Sequence, residues 1–544
     1  MDTDPYAAGC AGALWSLSPA RCPRSAQRLS FRPEFLHRFP RTGVPMGGMT
    51  TAGFTTLDLV VLSVYLGGVT LWGAWLGRAQ KGGTDYFLGN RDLPWWAVGL
   101  SVVATETSTL TFLSIPGVSY LGTLAFLQLT LGYLAGRIVV SLVLLPAYYR
   151  GEIATAYTLL ERRFGTGTRR FTSAIFQVTR LLADSVRLFA TAIPLALITG
   201  WPYSLSIAVI GLLTLVYTYF GGIRAVVWVD VVQMALYMVG AAVALVVLQT
   251  LIPGGWGAAL SSAAEAGKLT WLDFTPDITI PYTFWAGLLG GGFLSMASHG
   301  TDQLIVQRLL TCRDLKSAQT ALVGSGFAVI VQFALFLMVG IGLWAFYEGR
   351  AFAQSDAIFA TFIIEALPPG VTGLLIAGVF AAAMSSLSSS INALASASAY
   401  DFWAPLTKRE GDEFALLRAG RVFTLIWALL LIGAAILYIP MSEGSAAVEV
   451  ALTIASLVYG GLLGAFFLGI LDRRANQPGI IGGMVVGIGT VTALWVTSTW
   501  VVERVLVGWP WYVLLGTVVT MSVGALGSRV ADAKGFTSRP GGSG

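Results

Sequence analysis

The chain has 544 residues, of which 55% are hydrophobic and only 11% charged, and its mean hydropathy is +0.74. A soluble domain carries about a quarter charged residues, so a soluble enzyme, a disordered chain and a fibrous repeat are excluded. The net charge of +5 matters less than its placement, because lysine and arginine encode orientation in a membrane protein.

Residues 1–48 differ from everything after them. They hold Arg21, Arg24, Arg28, Arg32, Arg38 and Arg41 among prolines, with no apolar run long enough for a signal-peptide core. They read as a disordered tail, or as sequence upstream of a true start at Met46 or Met49. Two of the three cysteines, Cys10 and Cys22, fall here, so neither a disulfide framework nor a zinc site is expected. With His37 and His299 the only histidines, no nucleophile–histidine–acid arrangement can be drawn. The expectation is a protein that is not an enzyme, with no nucleic-acid partner and no resident cofactor.

Each spanning helix needs about 20 mostly apolar residues. On that scale about thirteen candidates follow in order: 57–78, 95–115, 120–148, 172–200, 202–220, 225–252, 282–306, 318–347, 371–400, 417–438, 447–471, 479–498 and 510–530. The longer connections are 253–281 and 348–370, the second with a helix-like stretch, Asp356–Leu367, suited to the membrane interface. The odd-numbered connections carry basic runs such as Arg162, Arg163, Arg169 and Arg170, or Lys408, Arg409, Arg418 and Arg421. The even-numbered ones carry only Lys268, Arg350 and Arg504. The basic side is cytoplasmic, which puts the N-terminus outside and the C-terminus inside a multi-pass cell-membrane protein.

A charge at a helix centre costs about 2.5–3.5 kcal/mol, so such residues must face the bundle interior. Arg180, Asp184 and Arg187 share one face at i, i+4, i+7. They form either an internal ion-pair ladder or an anion-binding site. Arg137 is a candidate for substrate binding or for pairing with Glu106 or Asp230. The second span has a polar midsection, Thr105-Glu106-Thr107-Ser108-Thr109, and is expected to end at Pro116-Gly117. The seventh is rich in Gly287, Gly290, Gly291 and Gly292, followed by Ser295, Ser298, His299 and Gly300. Small residues suit close helix packing. Two interrupted helices five spans apart also suit inverted five-helix repeats meeting at a midplane site. The ninth span holds Ser385, Ser386, Ser388, Ser389 and Ser390. With carbonyls freed at the first interruption, serine hydroxyls make an all-oxygen, uncharged shell suited to a monovalent cation such as Na⁺.

These stretches resemble the sodium:solute symporters. The residues that carry the likeness are Ala104–Tyr120, Tyr217–Gln233, Asp302–Arg308 and Gly373–Asp401, within a similarity over about residues 54–475. The resemblance implies an all-α, LeuT-like fold of two inverted five-helix repeats, with one helix before and two after. The expected repeats are 95–252 and 282–471, inside a membrane domain 54–530 followed by a cytoplasmic tail 531–544. It implies a sodium site of Ala104, Thr107, Ala382, Ser385 and Ser386, with Asp230 near the sodium exit path. The substrate cavity is expected among Thr105, Ser108, Thr109, Phe112, Gln128, Arg137, Arg180, Ser295, Ser298 and His299. Ser298 and Val329 stand where the family's sugar carriers have an aromatic gate and a lysine, which argues against a sugar, and small polar walls with Arg137 and Arg180 nearby favour a small organic acid or amino acid. The function so implied is sodium-coupled symport of a small organic solute by alternating access. Proton coupling through Glu106, Asp184 or Asp230, an uncoupled channel, and a membrane solute sensor are the alternatives. Sodium, the solute and the bilayer are the expected partners, with the oligomeric state open.

Overall fold

The computed structural model describes residues 54–533 apart from 78–79, 151–152, 353–354, 442–446 and 503. The expected N-terminal tail and most of the C-terminal one lie outside these residues. The principal helices are α1 (Thr56–Leu76), α2 (Trp95–Glu106), α3 (Thr109–Leu121), α4 (Leu127–Val143), α5 (Thr166–Thr199), α6 (Tyr203–Leu251), α7 (Gly291–Gly300), α8 (Gln303–Leu309), α9 (Leu315–Phe346), α10 (Val371–Ala397), α11 (Glu413–Tyr438), α12 (Ala447–Leu471), α13 (Gln477–Val496) and α14 (Trp511–Ala533). Among the described residues nine helices are long and apolar enough to cross a membrane, and the pair α2–α3, bent by 63°, is a tenth candidate. The expected spans 202–220 and 225–252 are the two arms of α6, which are joined at a non-helical break at Gly222 with φ +54°. A Cβ there would lie 2.5 Å from the Tyr86 carbonyl oxygen, so both the dihedral and the close approach require glycine.

Local chemistry sets the helix ends. Asp314, Asp412 and Asn476 accept backbone N–H bonds at the starts of α9, α11 and α13, at 2.8, 2.9 and 3.0 Å. Gly200, at φ +71°, ends α5. Pro116 does not end a helix as expected; α3 runs on to Leu121 through it. Proline is tolerated within membrane helices when neighbours satisfy the freed carbonyls.

The core is organised around α10, buried throughout from Leu375 to Ala399 and packed against α6, α1 and α5. The stretch Ser355–Glu365 is helical, as expected, and one face of it is buried against the protein. Ile358, Phe359, Phe362 and Ile363 are fully buried, and it packs on α3.

The seventh expected span is interrupted just after Gly300, the last residue of the expected stretch, and not among Gly287–Gly292. A π-helical turn, Ala286–Gly290, leads into α7, and the chain leaves the helix at Thr301 and Asp302 before α8. The glycines instead bring α4 and α7 into backbone contact. A Cβ on Gly132 would fall 2.1 Å from the Gly287 carbonyl oxygen, and one on Gly136 would fall 2.4 Å from that of Gly292. Gly132→Ala is therefore expected to destabilise the protein by about 1–3 kcal/mol, as overpacking does. A lowered melting temperature of the purified variant checks this, and unchanged melting would contradict the contact.

Candidate functional site

The site begins at the break between α2 and α3. Thr107 and Ser108 are extended, with ψ of 95° and 168°. Threonine and serine hydroxyls compete for backbone partners there. Thr105 Oγ1 donates to the Ser101 carbonyl at 2.7 Å and Thr107 Oγ1 to that of Val103 at 2.9 Å. Ending α2 at Glu106 leaves carbonyls of its last turn without N–H donors from the helix.

α10 spans this break. Thr109 Oγ1 donates to the Val379 carbonyl at 3.2 Å, Ser386 Oγ to the Thr105 carbonyl at 3.4 Å, and Ser389 Oγ lies 3.2 Å from Thr105 Oγ1. Ala104 and Thr107 thus stand on one side of the contact, and Ala382, Ser385 and Ser386 on the other. All five are buried. The Ser386 bond is long, so its hydroxyl is weakly held.

Behind Ser385 lies Asp230, fully buried on α6. Its carboxylate accepts from Ser101 Oγ at 2.5 Å, Ser385 Oγ at 2.7 Å and the Arg308 guanidinium at 3.2 Å. Arg308 also donates to Ser389 Oγ, whose own proton goes to the Ser385 carbonyl at 2.5 Å. A serine hydroxyl has one proton. Ser385 spends it on Asp230, which leaves its oxygen lone pairs free to accept a cation. Asp230 therefore touches an expected sodium ligand directly rather than standing only on a path away from it.

A narrow crevice of about 10 Å³, room for about one water, lies beside the break. Ser108 and Thr109 line it, with Asp184, Arg187 and Thr191 from α5 and Ser386 from α10. Arg187 Nη1 lies 2.8 Å from Asp184 Oδ1, and its side chain keeps 23% of its surface exposed. Asp184 accepts from Ser390 Oγ at 2.5 Å. Arg180 approaches Asp184 at 3.6 Å but bonds chiefly to Asp302 and to the Tyr459 hydroxyl. The i, i+4, i+7 face therefore divides. Arg180 ties α5 to the break between α7 and α8, and Arg187 faces the crevice.

The other expected cavity residues lie elsewhere. Arg137 pairs with Glu106, not with Asp230, and its Nη2 is 3.0 Å from His299 Nε2. Arginine can only donate, so that nitrogen of His299 accepts, and Nδ1 faces Ser298 Oγ at 2.8 Å. Ser295 Oγ donates to the Tyr133 carbonyl at 2.9 Å. These residues knit α2, α4 and α7 together. Gln128 bridges the Ala125 and Tyr282 carbonyls and the Asp273 N–H, at 3.1, 3.2 and 2.9 Å. Phe112 sits in an aromatic cluster with Tyr237, Phe336 and Phe359.

Sequence reasoning did not single out Ser101, Thr191, Arg308 or Gln332 for the site. Gln332 Nε2 donates to Thr107 Oγ1 at 2.6 Å. The helical spacing of Thr191, four residues beyond Arg187, carried a usable signal. For Ser101, Arg308 and Gln332 only the tertiary register reveals the contact.

Comparison with known proteins bears on what this arrangement does. Residues 86–487 match the family model described as the sodium:solute symporter family. The chain is 31% identical to the sodium/sialic acid symporter NanT of Aliivibrio fischeri, over 85% of this chain and 91% of that protein. It is 31% identical to the human sodium/iodide cotransporter, over 78% of this chain and 67% of the relative. The solved structure of a Na⁺-coupled sialic acid symporter, substrate-bound and outward-open, superposes with a TM-score of 0.77. Its identity is 26%, covering 88% of this chain and 98% of that one.

Proposed function

Because the chain belongs to the sodium:solute symporter family, a LeuT-like group of Na⁺-coupled membrane transporters and not enzymes, we propose that its sodium and solute meet at the α2–α3 break. The protein is a sodium-coupled symporter that takes up a small organic solute by alternating access. Sodium binds between the α2 carboxyl end, at the carbonyls of Ala104 and Thr107, and α10, at the Ala382 carbonyl and the hydroxyls of Ser385 and Ser386. An all-oxygen shell without a directly bound carboxylate suits a hard monovalent ion. Asp230 orients Ser385 for that task.

The solute binds at the adjoining crevice, which widens from its present volume of about 10 Å³ to admit it. The observation that carries this reading is that Ser386, Ser108 and Arg187 line one crevice. Ligand and ion share a wall there, so each favours the same state and raises the other's affinity by the same factor. A guanidinium partly exposed to the crevice suits a carboxylate, and Asp184 beside it suits an ammonium group. A small organic acid or amino acid is the solute class, in keeping with the anions that name the sialic acid and iodide carriers. The membrane potential adds about 2.3 kcal/mol per sodium charge per 100 mV, equivalent to roughly 50-fold accumulation of a neutral solute.

The distribution of Lys and Arg supports a cytoplasmic C-terminus and an outside N-terminus. The two breaks, before Thr109 and before Gln303, support inverted repeats at 95–252 and 282–471.

The test is a melting-temperature panel on purified protein, with and without sodium, using carboxylates and their uncharged amides. Only carboxylates should stabilise, and more so in sodium. Arg187→Gln should abolish the solute shift while keeping the sodium shift. Equal stabilisation by acids and amides, or an undiminished solute shift in Arg187→Gln, would refute the solute class.

A further inference from the structure

A cavity of about 340 Å³ lies at the amino end of α11, far along the chain from the crevice. Arg409 and Arg418 line it, with Trp403, Phe414 and Phe423 as apolar walls. The ion pairs found among the described residues include neither arginine. Arg418 is held over the Phe414 ring, 4.3 Å from its centroid. Three carboxylates neighbour the site in sequence: Glu410 is exposed in the turn beside Arg409, and two others bond to the protein. Asp412 lines the cavity but caps α11 through the Ala415 N–H at 2.9 Å. Glu413 turns away, accepting from the Thr84 N–H and hydroxyl at 2.7 and 2.8 Å. The cavity therefore presents two guanidinium groups, neither in an ion pair found among the described residues, against one lining carboxylate, Asp412.

An apolar track leads out of it. Arg418, Val422, Leu425 and Leu429 are spaced i, i+4, i+7, i+11 and share one face of α11. Val422, Leu425 and Leu429 are 55%, 43% and 52% exposed. That face looks at lipid. A free phosphate or a water-soluble anion would use the arginines and leave the track idle. A molecule with an anionic head and an acyl tail uses both.

We propose that this cavity binds an anionic phospholipid of the inner leaflet, its phosphate on Arg409 and Arg418 and one acyl chain along Val422, Leu425 and Leu429. Basic pockets at the cytoplasmic ends of membrane helices suit such headgroups, at about 1 kcal/mol per basic residue. The word inner rests on the orientation proposed above; the binding chemistry does not.

Native mass spectrometry of the delipidated, detergent-purified protein tests it, with phosphatidylglycerol and phosphatidylcholine offered separately. Phosphatidylglycerol should be retained roughly tenfold or more over phosphatidylcholine. Arg409→Gln/Arg418→Gln should erase that preference while keeping the wild-type melting shift in sodium. Should the double variant fail to fold, Arg409→Gln alone, in the exposed turn before α11, must lower the preference. Equal retention of the two lipids would overturn the proposal. So would a preference that survives these substitutions, or displacement of the lipid by glycerol phosphate, which would mark an anion site with no lipid requirement. Micelles offer lipid to both ends of the protein, so failure here is distinguishable from a wrong orientation, which labelling of single cysteines in intact cells reads.

Discussion

Ser386→Ala is expected to raise the sodium concentration for half-maximal stabilisation at least about tenfold, or ~1.4 kcal/mol, while hardly changing melting in sodium-free buffer. The two effects separate because of what Ser386 does without the ion. Its hydroxyl makes a single 3.4 Å bond to the Thr105 carbonyl. Losing so long a bond costs less than about 1 kcal/mol. With sodium present, the same oxygen is a ligand, and its loss removes a fifth of the proposed protein shell. Ser385→Ala should differ. It also deprives Asp230 of a donor at 2.7 Å, so sodium-free stability should fall as well. Sodium titrations of melting temperature on both variants check the contrast. Unchanged half-saturation in Ser386→Ala would remove this residue from the site.

The second large effect concerns the buried pair behind the site. Arg308 and Asp230 both have fully buried side chains. Arg308→Met removes the cation and leaves the carboxylate with Ser101 and Ser385 alone. Breaking a buried pair from one side costs about 3–5 kcal/mol, because a buried charge is left uncompensated. Arg308→Met should therefore melt far lower than wild type. Adding Asp230→Asn to it should recover much of the loss, since no lone charge remains. Sodium affinity should stay impaired in the double variant, because an amide no longer takes the Ser385 proton as firmly as a carboxylate does. A double variant no more stable than Arg308→Met would show that the pair is not what stabilises this region.

Much of this was legible in the residues. Hydropathy located the helices, and α1 at Thr56–Leu76 lies close to the expected 57–78. The run from Thr105 to Thr109 marked the first break, because consecutive hydroxyl side chains in an apolar span compete for backbone bonds. The serine stripe marked the helix that meets it. The second break falls at the far end of the expected stretch, after Gly300. Glycines loosen a helix and also let helices touch, and in α7 the second use prevails: Gly287 and Gly292 meet α4, while the chain actually leaves the helix at Thr301 and Asp302. Charge pairing was the least legible feature. Arg180 and Asp184 are i, i+4 neighbours, yet Arg180 bonds mainly to Asp302, far along the chain. Arg308 and Asp230 also meet across distant helices. Such partners follow from how helices register against each other, which periodicity does not encode. The same limit hid that Arg137 pairs with Glu106 and that, of the Arg180–Asp184–Arg187 face, Arg187 lines the crevice.

The most direct test of the account is equilibrium binding of radioactive sodium to the purified protein, compared with Ser385→Ala/Ser386→Ala. The account predicts saturable binding to the wild type and its loss in a double variant that still melts cooperatively. Saturable binding that survives in the folded double variant would contradict it.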